Sequence, residues 1–200
     1  MSFPHLVLAR LYEHLEPIDR GNRYEDPLQA RLEESKLGQV TGGGTQLNED
    51  GGIAYADVEI ELANLDDAAQ AVAEALEAAG APQGSELIHA EDSRVLREFG
   101  RQQCLAIFLD GTSLPDEVYA DLDFDAVVGE IGTAAGDNSF RGFFQGDDET
   151  GLFFYGEDAE AMFAAVEPIL RRLPIGQNAR VVLRHGKPAL GPREVRIPRH

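Results

Sequence analysis

Apolar and polar positions alternate most cleanly over residues 53–62, "IAYADVEIEL". Ala54, Ala56, Val58, Ile60 and Leu62 fall on one side, and Asp57, Glu59 and Glu61 on the other. That period of two marks a strand with one buried face and one wet, acidic face. The run before it, residues 39–47, reads as a partner strand, and Glu49–Gly52 supplies the turn between them. An earlier leucine-rich run near residues 4–14 reads as a strand. After it "EPIDRGNRYEDPL" reads as a polar loop, with Asp26 as N-cap and Pro27 as first residue of a helix that Gly38 ends. Past the hairpin the period changes to that of a helix. Asn64 is placed to cap it, and Leu65, Ala68, Ala69, Val72, Ala73 and Leu76 form its buried stripe. "GAPQGS" breaks this helix and "ELIHA" closes the set as a strand. The order is β-α-β-β-α-β, the split arrangement of ferredoxin-like folds.

The second half repeats the order without repeating the residues. "QQCLAIFL" reads as a strand and "DEVYADLDFDAVVGEIG" as one helix; "FRGFFQG" and "TGLFFYG" form a hairpin around "DDE". "EDAEAMFAAVEPILRRL" is the second helix, with a bend expected at Pro168. "ARVVLRHG" is the last strand. The fold class expected is therefore α+β: two tandem ferredoxin-like units with antiparallel sheets. The first spans residues 1–92 and the second 99–185, joined near Glu91–Gly100, and residues 186–200 form a basic extended tail. In the second hairpin Phe140, Phe143, Phe144, Phe153, Phe154 and Tyr155 fall on both strand faces, while helices cover only one. A second copy of the chain, pairing as a homodimer, or the first unit is the cover this implies.

Charge narrows the function. The net charge is −19 over 200 residues. Such a surface repels nucleic acid and anionic membranes and attracts basic partners or cations. Residues 1–92 hold 19 acids against 5 bases, and residues 116–167 hold 14 acids against Arg141 alone. From Arg171 onward eight bases face Glu194, so the tail is expected to fold back on the acidic body. No apolar run approaches the roughly 20 residues of a membrane helix, and His5, Arg10 and Glu13 interrupt the N-terminal stretch in a way unlike a signal peptide. The single cysteine, Cys104, lies in an apolar run and fits a buried thiol in a reducing, cytoplasmic setting.

The stretch "VTGGGTQL", Val40–Leu47, raises the question of a phosphate loop. Its glycines follow a helix and precede a strand, the reverse of a phosphate loop, and no Lys-Ser or Lys-Thr pair follows. A strand bulge or a close approach by another segment is the reading preferred, with the loop Arg20–Leu28 as what approaches. No pair of histidines has metal-ligand spacing, and "DLDFD" at Asp121–Asp125 lacks the glycine and glutamate of a calcium loop. No nucleophile elbow, Walker sequence or zincin motif is present. No cofactor and no metal is implied, and nothing points to catalysis.

Together "RGNRYEDPL", "KLGQVTGGGTQL" and "GLFFYGEDAEAMF" resemble a family of small acidic bacterial cytosolic proteins to which no activity is attached. The resemblance spans most of the chain and implies proteins of the kind that serve as immunity partners of secreted toxins; it transfers no functional residues. The function expected is a non-catalytic module that holds a basic protein partner. Asp57, Glu59 and Glu61, with carboxylates about 7 Å apart along one row, are the contact residues expected, and Arg23 and Tyr24 the rim or anchor groups. The alternative is a small-molecule sensor or enzyme with a site at the seam of the two domains, near Gly42, Gly43, Gly44 and Thr45.

Overall fold

A computed structural model describes residues 3–187 and 190–199. The chain divides into two compact units, residues 1–101 and 102–200, each with its own core.

The first unit contains strands β1 (His5–Leu11), β2 (Gly38–Leu47), β3 (Ile53–Leu62), β4 (Ser85–His89) and β5 (Val95–Phe99). They form one antiparallel sheet in the order β2-β3-β1-β4-β5. The first four are the ferredoxin-like order, with the first and third strands at the centre. Val7, Ala9 and Leu11 of β1 and Ala56, Val58, Ile60 and Leu62 of β3 are buried on the face that the helices cover. Asn64 Oδ1 accepts from the N–H of Asp67 and Ala68 at the start of α3 (Asp67–Ala78), as expected of a cap. The stripe Ala68, Ala69, Val72, Ala73 and Leu76 is buried.

The stretch expected as a polar loop is helical. Helix α1 (Pro17–Arg20) runs through a π-helical stretch, Gly21–Glu25, into α2 (Asp26–Ser35). Pro17 opens it, as proline at a first helical position should. Asp26 therefore sits within continuous helical backbone and is not an N-cap. Pro27 has no N–H to offer the turn before it, and a π stretch directly precedes it, with the N–H of Asp26 reaching Gly21 five residues back.

The second unit has the same plan: β6 (Gln103–Asp110), β7 (Phe140–Gln145), β8 (Glu149–Gly156), β9 (Arg180–Arg184) and β10 (Arg193–Arg196), in the order β10-β9-β6-β8-β7. Its long helix, α6 (Ala159–Arg172), continues through Pro168. The run expected as one helix is two, α4 (Asp116–Ala120) and α5 (Phe124–Ala135). Asp123 caps the second by accepting from the N–H of Ala126.

Each unit thus carries a fifth strand beside its fourth. The expected joint, Glu91–Gly100, holds β5, and the expected tail holds β10, whose Arg193 pairs with Glu160 of α6. Residues 188, 189 and 200 of that tail lie outside the described residues. On the sheet face away from the helices, Cys104, Ala106 and Tyr155 are buried in the single chain, with Phe108 and Phe153 beside them.

Candidate functional site

The residues named from the sequence do not make one surface. Asp57, Glu59 and Glu61 share the sheet face away from the helices, because Ala56, Val58 and Ile60 between them point into the core. Asp57 is already engaged. Arg10 on β1 donates to it through Nε at 3.0 Å and Nη2 at 2.9 Å, and the same guanidinium lies 3.9 Å over the Tyr55 ring. Glu61 accepts from Gln39 Nε2 at 2.8 Å, and Glu59 is exposed. The row is therefore less negative than its residues imply.

Tyr24 corrects the expectation of a partner anchor. It is fully buried, because the extended helix places it under the sheet rather than in a loop. Its hydroxyl donates to Glu13 Oε2 at 2.5 Å, and Arg23 Nη1 donates to the other oxygen of the same buried carboxylate at 3.2 Å. Arg23 and Tyr24 belong to the helical side, opposite the acids of β3.

The glycine strand shows both features that such a strand suggests. A bulge falls between Val40 and Gly42 in the pairing with β3. Arg20 donates to Glu25 at 2.6 Å and to Thr45 Oγ1 at 3.1 Å, lying against Gly43. A Cβ at Gly43 would stand 2.6 Å from Glu25 Oε1, 2.7 Å from Arg20 Nε and 2.7 Å from the Asp57 carbonyl oxygen, whereas one at Gly44 would meet nothing within 4 Å. Of the triplet, Gly43 makes room for the Arg20–Glu25 pair.

The second unit holds what sequence reasoning missed: two adjoining grooves of about 410 Å³ each, sharing Leu122 and Ile175. One lies between α4, α5 and the 3₁₀ turn Pro174–Gly176. Its floor is apolar, with Val118, Leu122, Val127, Leu173 and Ile175, and its rim carries Glu117, Asp121, Asp123 and Glu130. Arg172 pairs with Glu130. Among the described residues no cation pairs with Glu117, Asp121 or Asp123. The acidic run was legible in the sequence; the apolar floor was not, since Leu173 and Ile175 come from a turn about fifty residues further on.

The other groove lies at the end of β6 and is lined by Asp110, Tyr119, Phe124, Phe143, Gln145 and Thr150, among others. Asp110 Oδ1 accepts from the N–H groups of Thr112 at 3.0 Å and Ser113 at 2.7 Å, and from Tyr119 Oη at 3.3 Å. Its other oxygen accepts from Ser113 Oγ and, at 2.9 Å, from Asn178 Nδ2. Burial opposes the charged form, but the donors of Ser113, Asn178 and Thr112 outweigh it and hold this carboxyl well below the ordinary range. Among the described residues no three His, Cys, Asp or Glu side chains come together as a metal-binding group, and no helix is long and apolar enough to cross a membrane.

Comparison with known proteins adds little to this geometry. No family model matches, and no curated protein does. Among solved structures the chain is similar to the regulatory subunit of aspartate kinase from Thermus flavus, at 17% identity and a TM-score of 0.27 over 84% of this chain and 93% of that one. It is similar to an unknown protein from Galdieria sulphuraria at 12% identity and 0.29, covering 90% of this chain and 95% of that chain. A Fusobacterium nucleatum protein provisionally named a monooxygenase is 11% identical at 0.32, with both chains fully covered. Likenesses this distant carry no argument about activity. The ferredoxin-like assignment stands on strand order and connectivity.

Proposed function

We propose that the protein is a non-catalytic binding module for a basic protein partner, of which immunity to a toxin would be one example. The observation that carries this reading is the acid-rimmed apolar groove between α4, α5 and the Pro174–Gly176 turn. Glu117, Asp121 and Asp123 keep their charge unpaired among the described residues, directly beside side chains that a partner's apolar residues can cover. The occupant that fits is an amphipathic segment with leucine-like residues on one side and Lys or Arg flanking them. Long-range attraction to a chain of net charge −19 speeds the encounter, and apolar burial retains the segment. Each large apolar side chain buried adds about 1.5–3 kcal/mol. Exposed charge pairs at the rim add less, about 0.2–1 kcal/mol each.

The test uses a labelled Leu/Lys amphipathic peptide and fluorescence anisotropy at two salt concentrations. The wild-type chain should bind it more weakly as salt rises, and the exposed-rim variant Glu117→Lys/Asp121→Lys should lose most of the affinity. Reversal of Asp57, Glu59 and Glu61, tested in parallel, should have the smaller effect, since Arg10 already occupies Asp57. Equal affinity in the wild type and the groove variant sinks the assignment to this groove. Loss only in the β3 variant moves the contact to the open sheet face.

A further inference from the structure

The groove at the end of β6 has a chemistry that the basic-segment reading leaves unused. Among the described residues three aromatic side chains, Tyr119, Phe124 and Phe143, line it together with a single carboxylate, Asp110, and no lysine, arginine or histidine does. Phe124 and Phe143 meet edge to face with ring centroids 5.3 Å apart, and Phe143 keeps 51% of its surface exposed. A cavity of about 410 Å³ lies within the range of small-ligand sites. Aromatic faces with a carboxylate nearby are the environment in which cations are held by ring quadrupoles.

The hydrogen bonds around Asp110 choose among cations. Its two oxygens already accept from five donors, those of Thr112, Ser113 (backbone and hydroxyl), Asn178 and Tyr119. A carboxylate has about four lone-pair sites, so Asp110 offers negative charge and almost no free acceptor. A primary ammonium brings three N–H donors that must be satisfied when it leaves water. A quaternary ammonium brings none and is weakly hydrated. Arg199 does not fill the role, since it donates to Ser113 and makes no salt bridge to Asp110 among the described residues.

We propose that this groove binds a methylated ammonium group, seated against Tyr119, Phe124 and Phe143 and balanced by Asp110. The group is a quaternary nitrogen carrying methyls, presented either by a free small cation of the choline type or by a trimethylated lysine side chain. The proposal stands apart from the basic-segment reading, because it concerns one nitrogen in the β6 groove and its test leaves the α4–α5 rim unaltered.

The experiment is an amide-resolved NMR titration of the full chain with choline, with the neutral tert-butyl analogue in which carbon replaces nitrogen, and with a peptide bearing trimethyllysine. Choline should shift the amides of Gly111, Phe143, Gln145 and Thr150, while the analogue of equal shape leaves them in place. Phe143→Leu, which keeps an apolar side chain at a half-exposed position, should weaken binding on the order of five- to thirty-fold. Asp110→Asn should weaken it too, with Phe143→Leu as the decisive variant because Asp110 also holds its loop. Equal affinity for choline and peptide identifies the headgroup as sufficient, and a tenfold preference for the peptide identifies a protein side chain as the source. Absence of shifts with both cations, equal binding of choline and its neutral analogue, or unchanged affinity in Phe143→Leu overturns the proposal.

Discussion

Replacing Gly43 and Gly44 separately by alanine tests whether the glycine strand exists to admit the Arg20–Glu25 pair. Neither glycine has positive φ, so both positions accept an L-residue backbone. The two sites differ in what a methyl group would meet. At Gly43 it would sit 2.6–2.7 Å from Glu25 Oε1, Arg20 Nε and the Asp57 carbonyl oxygen; at Gly44 it would meet nothing within 4 Å. The side-chain neighbours can retreat only by giving up the 2.6 Å contact between them and the 3.1 Å bond from Arg20 to Thr45. The carbonyl cannot retreat without moving β3. Overpacking of this kind costs about 1–3 kcal/mol. In a domain of about 100 residues each kcal/mol lowers Tm by roughly 4–8 °C. Gly44→Ala should be neutral or stabilise by up to about 1 kcal/mol, through the reduced freedom of the unfolded chain. Because the chain has two cores, the assay pairs urea denaturation with hydrogen exchange at the amides of β2 and β3, which assigns any loss to the first unit. Equal stability of the two variants would refute the reasoning, since strand propensity alone treats these positions alike.

Three further outcomes concern the two cores and the Asp110 loop. Tyr24→Phe removes a hydroxyl donor from the buried Glu13 carboxylate and should cost about 1–3 kcal/mol, read as a lower urea midpoint with little change in slope. Phe154→Ala empties a fully buried position in the second core and should cost about 3–5 kcal/mol, with the loss of exchange protection falling on β6 and β8. Asp110 has its folded pKa depressed, so the stabilisation it provides is complete above its unfolded pKa of about 3.9. That stabilisation fades as pH falls below about 4 toward the folded value. Asp110→Asn should therefore lower the urea midpoint at pH 7 and flatten its dependence on pH in the acid range.

Local pattern determined much of the architecture. The alternation from Ala54 to Leu62, the Asn64 cap and the stripe from Ala68 to Leu76 each depend on neighbours a few residues away, and each has the expected place. The order of elements then implied two ferredoxin-like units, because a split β-α-β-β-α-β chain with short turns has few ways to bury its faces. Local signals that competed were harder to weigh. Pro17 and Pro27 both suit a helix start, and the structure uses the first, carrying Tyr24 from a supposed loop into the core. Asp123 is an N-cap hidden inside a run read as one helix.

What only the tertiary structure decided is which charges are already answered and which surfaces are concave. Arg10 and Asp57 stand 47 residues apart, and only the pairing of β1 with β3 sets them side by side and removes Asp57 from the acidic row. The floor of the acid-rimmed groove joins α4 and α5 to a turn beyond α6, and the aromatic groove joins the end of β6 to β7 and β8. Composition records that acids and aromatics are present. Whether they meet depends on long-range strand pairing, which no local periodicity encodes.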